Sequence, residues 1–289
     1  MRLDAALAKV FPEHSRSRLQ GWLKEGRIRI DGGAADAKRK VYGGERIDLD
    51  LPPPATESAG AEEIALPIVY EDDELIVIDK PAGLVVHPGN GNASGTLMNA
   101  LLHHAPQLAQ VPRAGIVHRL DKDTSGLLVV ARTLTAQTDL VRQLQARSVK
   151  RHYLALALGA VTRDGSVDAP IGRHPVQRTK MAVVGSGREA RTHYAVRERF
   201  AHCTLVECRL ETGRTHQIRV HMASLGHPLV GDQVYGRRKS GDPRLDGFPR
   251  QALHAWKLAL IHPRTGAEVS WEAPMPADFA ALLEELRHG

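Results

Sequence analysis

Residues 115–132, GIVHRLDKDTSGLLVVAR, join a polar loop to a strand that is predicted to be fully buried. The run 127–131 is continuously apolar, has the length of a strand, and is bounded by Gly126 and Arg132. Such a run is typical of a strand in the middle of a sheet. Directly before it come five polar or charged side chains, His118, Arg119, Asp121, Lys122 and Asp123. Because loops held by rigid strands commonly display catalytic groups, this stretch is the candidate site.

Length and charge bound the class of protein. The chain has 289 residues, enough for one large domain and one small one. It carries 39 Lys and Arg against 33 Asp and Glu, with a pI of about 9.5, so a polyanionic partner is compatible with its charge. Aromatic residues are only 4% of the chain, which argues against a surface that stacks on many bases. Contacts to a nucleic-acid backbone, with a few base contacts, are the better expectation.

The first 50 residues predict a small αβ module with a basic surface. An amphipathic helix is followed by a second one, which begins after Ser15 as N-cap and ends at Gly26. Arg16, Arg18 and Lys24 fall largely off the apolar face of this second helix. An ordinary solvated helix face explains these charges about as well as RNA contact does.

A proline-rich stretch predicts a domain boundary. The segment LPPPATESAGAEE lacks apolar periodicity and has the composition of a linker. We therefore expect a small domain at 1–51, a linker at 52–66 and a larger domain at 67–289.

The larger domain is predicted to be of α+β class, with an antiparallel or mixed sheet, because strand-like segments predominate and helices are segregated among them. Strands are expected at IVY, LIVIDKP, GLVVHPG, LLVVA, RHYLALALG, EARTHYAVRERF, HCTLVECRLETG, LHAWKLALIHP and EVSWEAP. Helices are expected at TLMNALLHHA, LTAQTDLVRQLQARS, THQIRVHMASLG and ADFAALLEELRHG. The polar insertion RRKSGDPRLDGFPR is expected to be a surface loop.

Asp121 is the best candidate for a reacting group, because Arg119 and Lys122 beside it favour a charged, nucleophilic carboxylate. Asp123 is either a second carboxylate of the site or, as we prefer, a turn residue whose side chain accepts backbone N–H groups. Tyr153 begins an apolar strand, where a tyrosine is more often structural than catalytic.

Other functional classes have little support in the sequence. His216 and His221 do not have the spacing of helical zinc ligands, and no HExxH pattern occurs, so no metal site is expected. Cys203 and Cys208, five residues apart, should face opposite sides of a strand as buried thiols. The N-terminus lacks a signal-peptide core and no run approaches a membrane span, so a cytoplasmic protein is expected.

Four blocks of the chain resemble the RNA pseudouridine synthases of the A-type ribosomal family. They are KPAGLVVHPG, HRLDKDTSGLLVVA, the RHY that begins a strand, and TGRTHQIRVHMASLGHPLVGDQVYG. The resemblance covers nearly the whole chain. The order of helix, basic helix and hairpin in residues 1–50 also resembles the small RNA-binding domain of ribosomal protein S4.

The resemblance implies a catalytic domain with a mixed, largely antiparallel sheet that isomerises uridine to pseudouridine in RNA without cofactor or metal. The family aspartate falls on Asp121, which would attack the sugar or the pyrimidine ring, or remove a sugar proton. Arg219 matches the basic residue that pairs with the aspartate. Tyr153 matches a tyrosine that stacks on the target base and exchanges a proton, and Arg119 matches the residue that supports the flipped nucleotide.

The same resemblance places Leu127 and Arg214 only near the site. It implies large-subunit ribosomal RNA, or a pre-ribosomal particle, as the partner. A monomer that does not bind membranes is expected in addition. The basic N-terminal module, with Arg16, Arg18 and Lys24, would then be a second RNA contact on a linker, although it could equally bind another RNA helix.

Two other readings of the sequence remain open. DKDT at 121–124 resembles the DxDxT motif of haloacid-dehalogenase phosphatases, but those enzymes place the apolar strand before the aspartate, whereas here it follows. A catalytically inactive RNA-binding assembly factor is the second alternative. The presence of Asp121, Tyr153 and Arg219 together disfavours it.

Overall fold

The computed structural model describes residues 1–11, 16–50, 60–89, 92–177, 179–236 and 239–288, apart from the side chains of residues 16–18. Ser15 and the side chains of Arg16 and Arg18 therefore lie outside the described part of the chain. Two compact units are present, Met1–Ser58 and Ala59–Gly289.

The first unit packs two helices on a three-stranded antiparallel sheet of order β2-β1-β3. Leu19, Trp22 and Leu23 recur at helical spacing and are buried against the first strand. The second helix ends before Gly26, whose positive φ of 71° suits glycine. The elements are α1 (Leu3–Val10), α2 (Arg16–Lys24), β1 (Ile28–Ile30), β2 (Gly33–Ala34) and β3 (Ile47–Leu49).

The second unit is built on one large sheet. Its strands are β4 (Ile68–Glu71), β5 (Leu75–Lys80), β6 (Ser125–Ala131), β7 (Lys150–Leu158), β8 (Gly165–Asp168), β9 (Ile171–Arg173), β10 (Met181–Val183), β11 (Arg191–Arg199), β12 (Cys203–Leu210), β13 (Leu253–Ile261) and β14 (Glu268–Glu272). Its helices are α3 (Leu97–His104), α4 (Leu134–Gln145), α5 (Gln217–Ser224), α6 (Pro243–Asp246) and α7 (Ala277–His288).

The large sheet has the order β4-β5-β6-β13-β7-β12-β11-β8, with β14 paired to β13 and a separate β9-β10 hairpin. Among the described strand pairs, β6 and β13 alone are parallel, so the predicted mixed, largely antiparallel sheet is confirmed. All seven residues of β6 are buried, which confirms the central strand predicted at 127–131.

Helices cover both faces of the sheet. One face packs against α3 and α5, whereas α4 and α7 cover two parts of the other face. Cys208 lies on the first face and Cys203 on the second, both as free buried thiols, as the spacing predicted. No helix in the described ranges is long and apolar enough to cross a membrane.

Two predictions about local structure were wrong. GLVVHPG is not a strand, because the carbonyls of Val85 and Val86 accept hydrogen bonds from Leu97 and Met98 at the start of α3. The insertion at 237–250 is more than a polar surface loop: it contains α6, and Leu245 and Phe248 are buried against α7. Residues 237 and 238 of that insertion lie outside the described part.

Gly126 allows β6 to start close to β13. Its φ is 110°, and a Cβ there would lie 2.3 Å from the carbonyl oxygen of Ala255. A side chain at this position would therefore clash with backbone that has no freedom to move. The absence of a Cβ at 126 therefore allows the first residues of β6 to pair closely with β13.

Candidate active site

Two buried cations, Lys80 and Arg250, donate hydrogen bonds to backbone carbonyls of the loop that carries Asp121. Lys80 is fully buried at the end of β5, and its Nζ donates to three carbonyls, those of Pro81, Leu84 and Lys122. Arg250 Nη1 donates to the carbonyl of Asp123 at 3.0 Å. These contacts fix the turn between Asp121 and β6 without using the Asp121 carboxylate.

The preferred role of the Asp123 side chain was wrong. Within the described residues, no backbone N–H donates to its carboxylate, and its carbonyl makes the stabilising contact instead. The turn is closed by Thr124 N–H, which donates to the carbonyl of Asp121. Sequence reasoning missed this arrangement because Lys80 and Arg250 come from distant parts of the chain.

Asp121 forms an ion pair with Arg219, the third residue of α5. The distance from Arg219 Nη1 to Asp121 Oδ2 is 3.0 Å, and the two side chains are 6% and 15% exposed, respectively. The guanidinium therefore makes a charge-assisted hydrogen bond to the carboxylate. The sequence predicted this pairing, and the structure brings together two residues 98 positions apart.

A second carboxylate, Asp232, orients Arg219. Arg219 donates through Nε and Nη2 to the two oxygens of Asp232, at 2.8 and 2.9 Å, and Asp232 also accepts the backbone N–H groups of Val234 and Tyr235. Burial alone would raise the pKa of Asp232, but these hydrogen bonds lower it below its ordinary value. Burial likewise opposes the charge of Arg219, but its two carboxylate partners raise its pKa.

Sequence reasoning did not single out Asp232, although it lies within the GDQVYG stretch of the quoted motif. Asp232 is followed by the polar Gln233, so no local pattern marks it as a buried residue. Gly231 has a φ of 69°, and a Cβ there would lie 2.0 Å from the carbonyl oxygen of Arg250. The tight backbone at Gly231 positions Asp232 beneath Arg219.

His216 is the second residue of the site that sequence reasoning did not assign. It precedes α5 in a left-handed conformation with φ of 55°, which is costly for a residue with a side chain. Its Nδ1 is 2.9 Å from the hydroxyl of Tyr235, and its Nε2 is 3.8 Å from Asp121 Oδ1. Burial lowers the pKa of His216, so a neutral imidazole faces the carboxylate at neutral pH.

Tyr153 is both a core residue and a residue of the site. It is 6% exposed on β7, packs in the core on the α3 and α5 face, and also lines the cleft. Burial raises the pKa of Tyr153, so its phenol is neutral at pH 7.

A cleft of about 830 Å³ joins these groups. Asp121, Tyr153, Arg219, Arg119 and Arg214 all line it. Arg119 is exposed at the rim, and Arg214 donates through Nε to the carbonyl of Glu189. Seven arginines and two carboxylates are among the described lining residues, so the cleft attracts anions.

Other predicted residues lie elsewhere or are not described. Leu127 is buried on the opposite face of the sheet among the residues that contact α4, so its placement near the site was wrong. Lys24 is exposed on α2 in the first unit. Within the described ranges, no group of three His, Cys, Asp or Glu side chains is arranged to hold a metal ion.

Comparison with known sequences decides the family. A sequence model described as RNA pseudouridylate synthase matches residues 74–224, which is more than half of the chain. The chain belongs to the RNA pseudouridylate synthase family. As a pseudouridine synthase it is an isomerase, and an S4 domain matches residues 1–47. The phosphatase alternative was therefore wrong.

Relatives of this pseudouridine synthase resemble it over its full length. The ribosomal large subunit pseudouridine synthase D of Nitrosomonas europaea is 62% identical and aligns with 100% of this chain and 85% of its own. The protein of the same name from Pseudomonas aeruginosa is 56% identical over 99% of this chain and 92% of its own. The solved structure of human RNA pseudouridylate synthase domain containing 1 has a TM-score of 0.60 and 27% identity over 83% of this chain and 98% of its own.

Proposed function

We propose that the protein converts specific uridines of large-subunit (23S) ribosomal RNA to pseudouridine, with Asp121 as the nucleophile and with the target base flipped into the cleft. The observation that carries the proposal is the ion pair between Asp121 and Arg219 in a basic cleft. The names of the full-length relatives support ribosomal RNA of the large subunit as the substrate.

The reaction needs a carboxylate that is held in a fixed orientation. The bond between N1 of uracil and C1′ of the ribose must break, the uracil must rotate, and a bond between C5 and C1′ must form. The proton lost from C5 is balanced by one that N1 gains. Asp121 attacks as a carboxylate and is released when the bond between C5 and C1′ forms, and Arg219 holds it in place through a hydrogen bond from Nη1. Asp232 holds Arg219 so that the Nη1 donor points at Asp121.

Base flipping explains the position of Arg119. A uridine in structured RNA must leave its stack before it can reach Asp121, which costs a few kcal/mol. Arg119 is exposed at the rim of the cleft, two residues before the aspartate, where it can support the flipped nucleotide. Tyr153, which is neutral at pH 7, offers an aromatic ring for the extruded uracil and a phenol that can give its proton to N1 and take up the one lost from C5 in the last step.

The two units have separate roles in this proposal. Residues 1–51 form a second RNA contact, to which Arg16, Arg18 and Lys24 contribute, and the linker at 52–66 joins them to the catalytic domain at 67–289. Tethering the two contacts raises the local concentration of the catalytic domain at the RNA. The enzyme acts as a cytoplasmic monomer during ribosome biogenesis.

Mapping pseudouridines in ribosomal RNA tests the proposal. Large-subunit RNA from cells that lack the protein should lack pseudouridine at a small set of positions, and wild-type protein should restore them on an RNA transcript. An unchanged modification map, together with no activity on the transcript, would refute the proposed substrate. RNA binding without modification would instead support the assembly-factor alternative.

A further inference from the structure

Arg151 is a buried arginine without an acidic partner in the described part of the chain. It lies on β7 two residues before Tyr153, so both side chains project from the same face of the strand. The residue is 7% exposed and lines the cleft. Its Nε is buried without a hydrogen-bond partner, and no described carboxylate lies within ion-pair distance.

The described surroundings of Arg151 offer no carboxylate partner. Its Nη1 lies against Gly213, where an added Cβ would be 2.6 Å away. Burial lowers the pKa of His118 to about 3, with Arg151 as a further cause, so this imidazole is neutral. Arg214 is also close enough for the two cations to repel each other.

The nearby carboxylates have other partners. Arg147 pairs with Glu189 and Glu211, and Glu211 also pairs with Arg191 and His193. By contrast, the buried Arg219 and Arg250 each have a carboxylate within 2.8 Å, Asp232 for the first and Asp278 for the second. Arg151 therefore differs from the other buried arginines of the described chain.

An unpaired buried cation destabilises a folded protein, because its lost hydration is not replaced. A guanidinium that faces a cleft recovers this energy when an anion enters, and its planar fork of donors fits the oxygens of a phosphate. The main anion that RNA offers to such a donor is its backbone phosphate.

We propose that Arg151 forms a phosphate subsite of the cleft, which binds a backbone phosphate of the RNA strand that carries the target uridine. The proposal rests on the proposed function, since it assumes an RNA strand in the cleft. Gly213 is part of the subsite, because a side chain there would displace the guanidinium of Arg151. The subsite acts in binding and is distinct from the ion pair that activates Asp121.

Neutralising single phosphates tests the subsite. RNA oligonucleotides that contain the target uridine, each with one methylphosphonate near it, are titrated against wild-type protein and Arg151→Met in a fluorescence anisotropy assay. Arg151→Met should weaken binding of the unmodified RNA about tenfold or more. One methylphosphonate position should weaken wild-type binding to a similar degree and have no further effect on Arg151→Met. If every methylphosphonate weakens binding by Arg151→Met as much as it weakens binding by wild type, Arg151 contacts none of these phosphates and the proposal is overturned.

Two further variants separate the subsite from general charge effects. Arg163 is exposed and is not part of the cleft, so Arg163→Met removes the same charge and should change affinity less than threefold. Gly213→Ala keeps every charge and should still weaken RNA binding several-fold by moving the guanidinium. If Arg163→Met weakens binding as much as Arg151→Met does, the effect is one of net charge and the proposal fails.

Thermal unfolding of the free protein gives an independent readout. Removing an unpaired buried charge should leave the melting temperature of Arg151→Met unchanged or raise it, whereas a large decrease would assign Arg151 a structural role and refute the subsite. The binding assays do not require turnover. If the proposed function is wrong, wild-type protein will bind RNA without forming pseudouridine. The comparison of methylphosphonate effects on wild type and Arg151→Met would still show whether Arg151 binds a phosphate.

Discussion

Replacing Asp232 with asparagine tests how the site is held in place. Asp232 receives two hydrogen bonds from Arg219, at 2.8 and 2.9 Å, and its side chain is fully buried. Asparagine keeps the size but loses the charge, so Arg219 retains only Asp121 as a charged partner. Breaking a buried ion pair from one side costs about 3–5 kcal/mol. We expect urea unfolding to show a loss in this range.

A second ion pair provides the matched control. Asp168 also pairs with an arginine, Arg191, but its side chain is 51% exposed. Exposed pairs contribute about 0–1 kcal/mol, so Asp168→Asn should cost less than about 1 kcal/mol. The reasoning is refuted if the two variants lose the same stability.

A positioning role also predicts a particular kinetic change. Asp232→Asn should lower kcat for pseudouridine formation at least tenfold and change KM less than threefold, because Arg219 loses its orientation while the RNA contacts remain. A rise in KM at unchanged kcat would instead indicate that Asp232 acts in RNA binding.

Three further predictions concern flipping, pH and the first unit. Arg119→Ala should reduce the rate more on a structured stem-loop than on an unstructured strand with the same target, and equal losses would remove Arg119 from flipping. Although burial opposes it, hydrogen bonds from Tyr70, His262 and two backbone N–H groups lower the pKa of Asp72 from 3.8 to about 2. The carboxylate therefore contributes about 2 kcal/mol of stability above pH 4, and this contribution is lost as the pH falls toward 2. In urea unfolding, the difference in free energy of unfolding between wild type and Asp72→Asn should be about half as large at pH 3 as at pH 7. Deleting residues 1–50 should weaken RNA binding and reduce its dependence on salt, and an unchanged salt slope would mean that this unit does not contact RNA.

The sequence predicted the sheet and the reacting pair for identifiable reasons. A short, continuous apolar run between polar ends is typical of a central strand, so the predicted strand at 127–131 lies within β6 and ends at the same residue. Asp121 and Arg219 were found because they lie in long motifs of a known family. Alternating strands such as β11 and β12 were likewise recovered from their periodicity.

Long-range contacts could not be predicted in the same way. Lys80 binds carbonyls of the loop that precedes β6, some 40 residues away, and no local pattern indicates this contact. GLVVHPG has the composition of a strand, but its carbonyls are used by the first turn of α3. Asp232 and Arg151 are distinguished only by burial and by the presence or absence of a partner, and these properties exist only in the folded chain.

The most direct test of the account compares Asp121→Asn with wild type on the same RNA, measuring single-turnover pseudouridine formation and RNA affinity together. The variant keeps the shape of the side chain and an oxygen that Arg219 can bind, but it lacks the nucleophilic carboxylate. The account predicts no detectable pseudouridine and an affinity within a few-fold of wild type. Substantial turnover by Asp121→Asn would contradict the account.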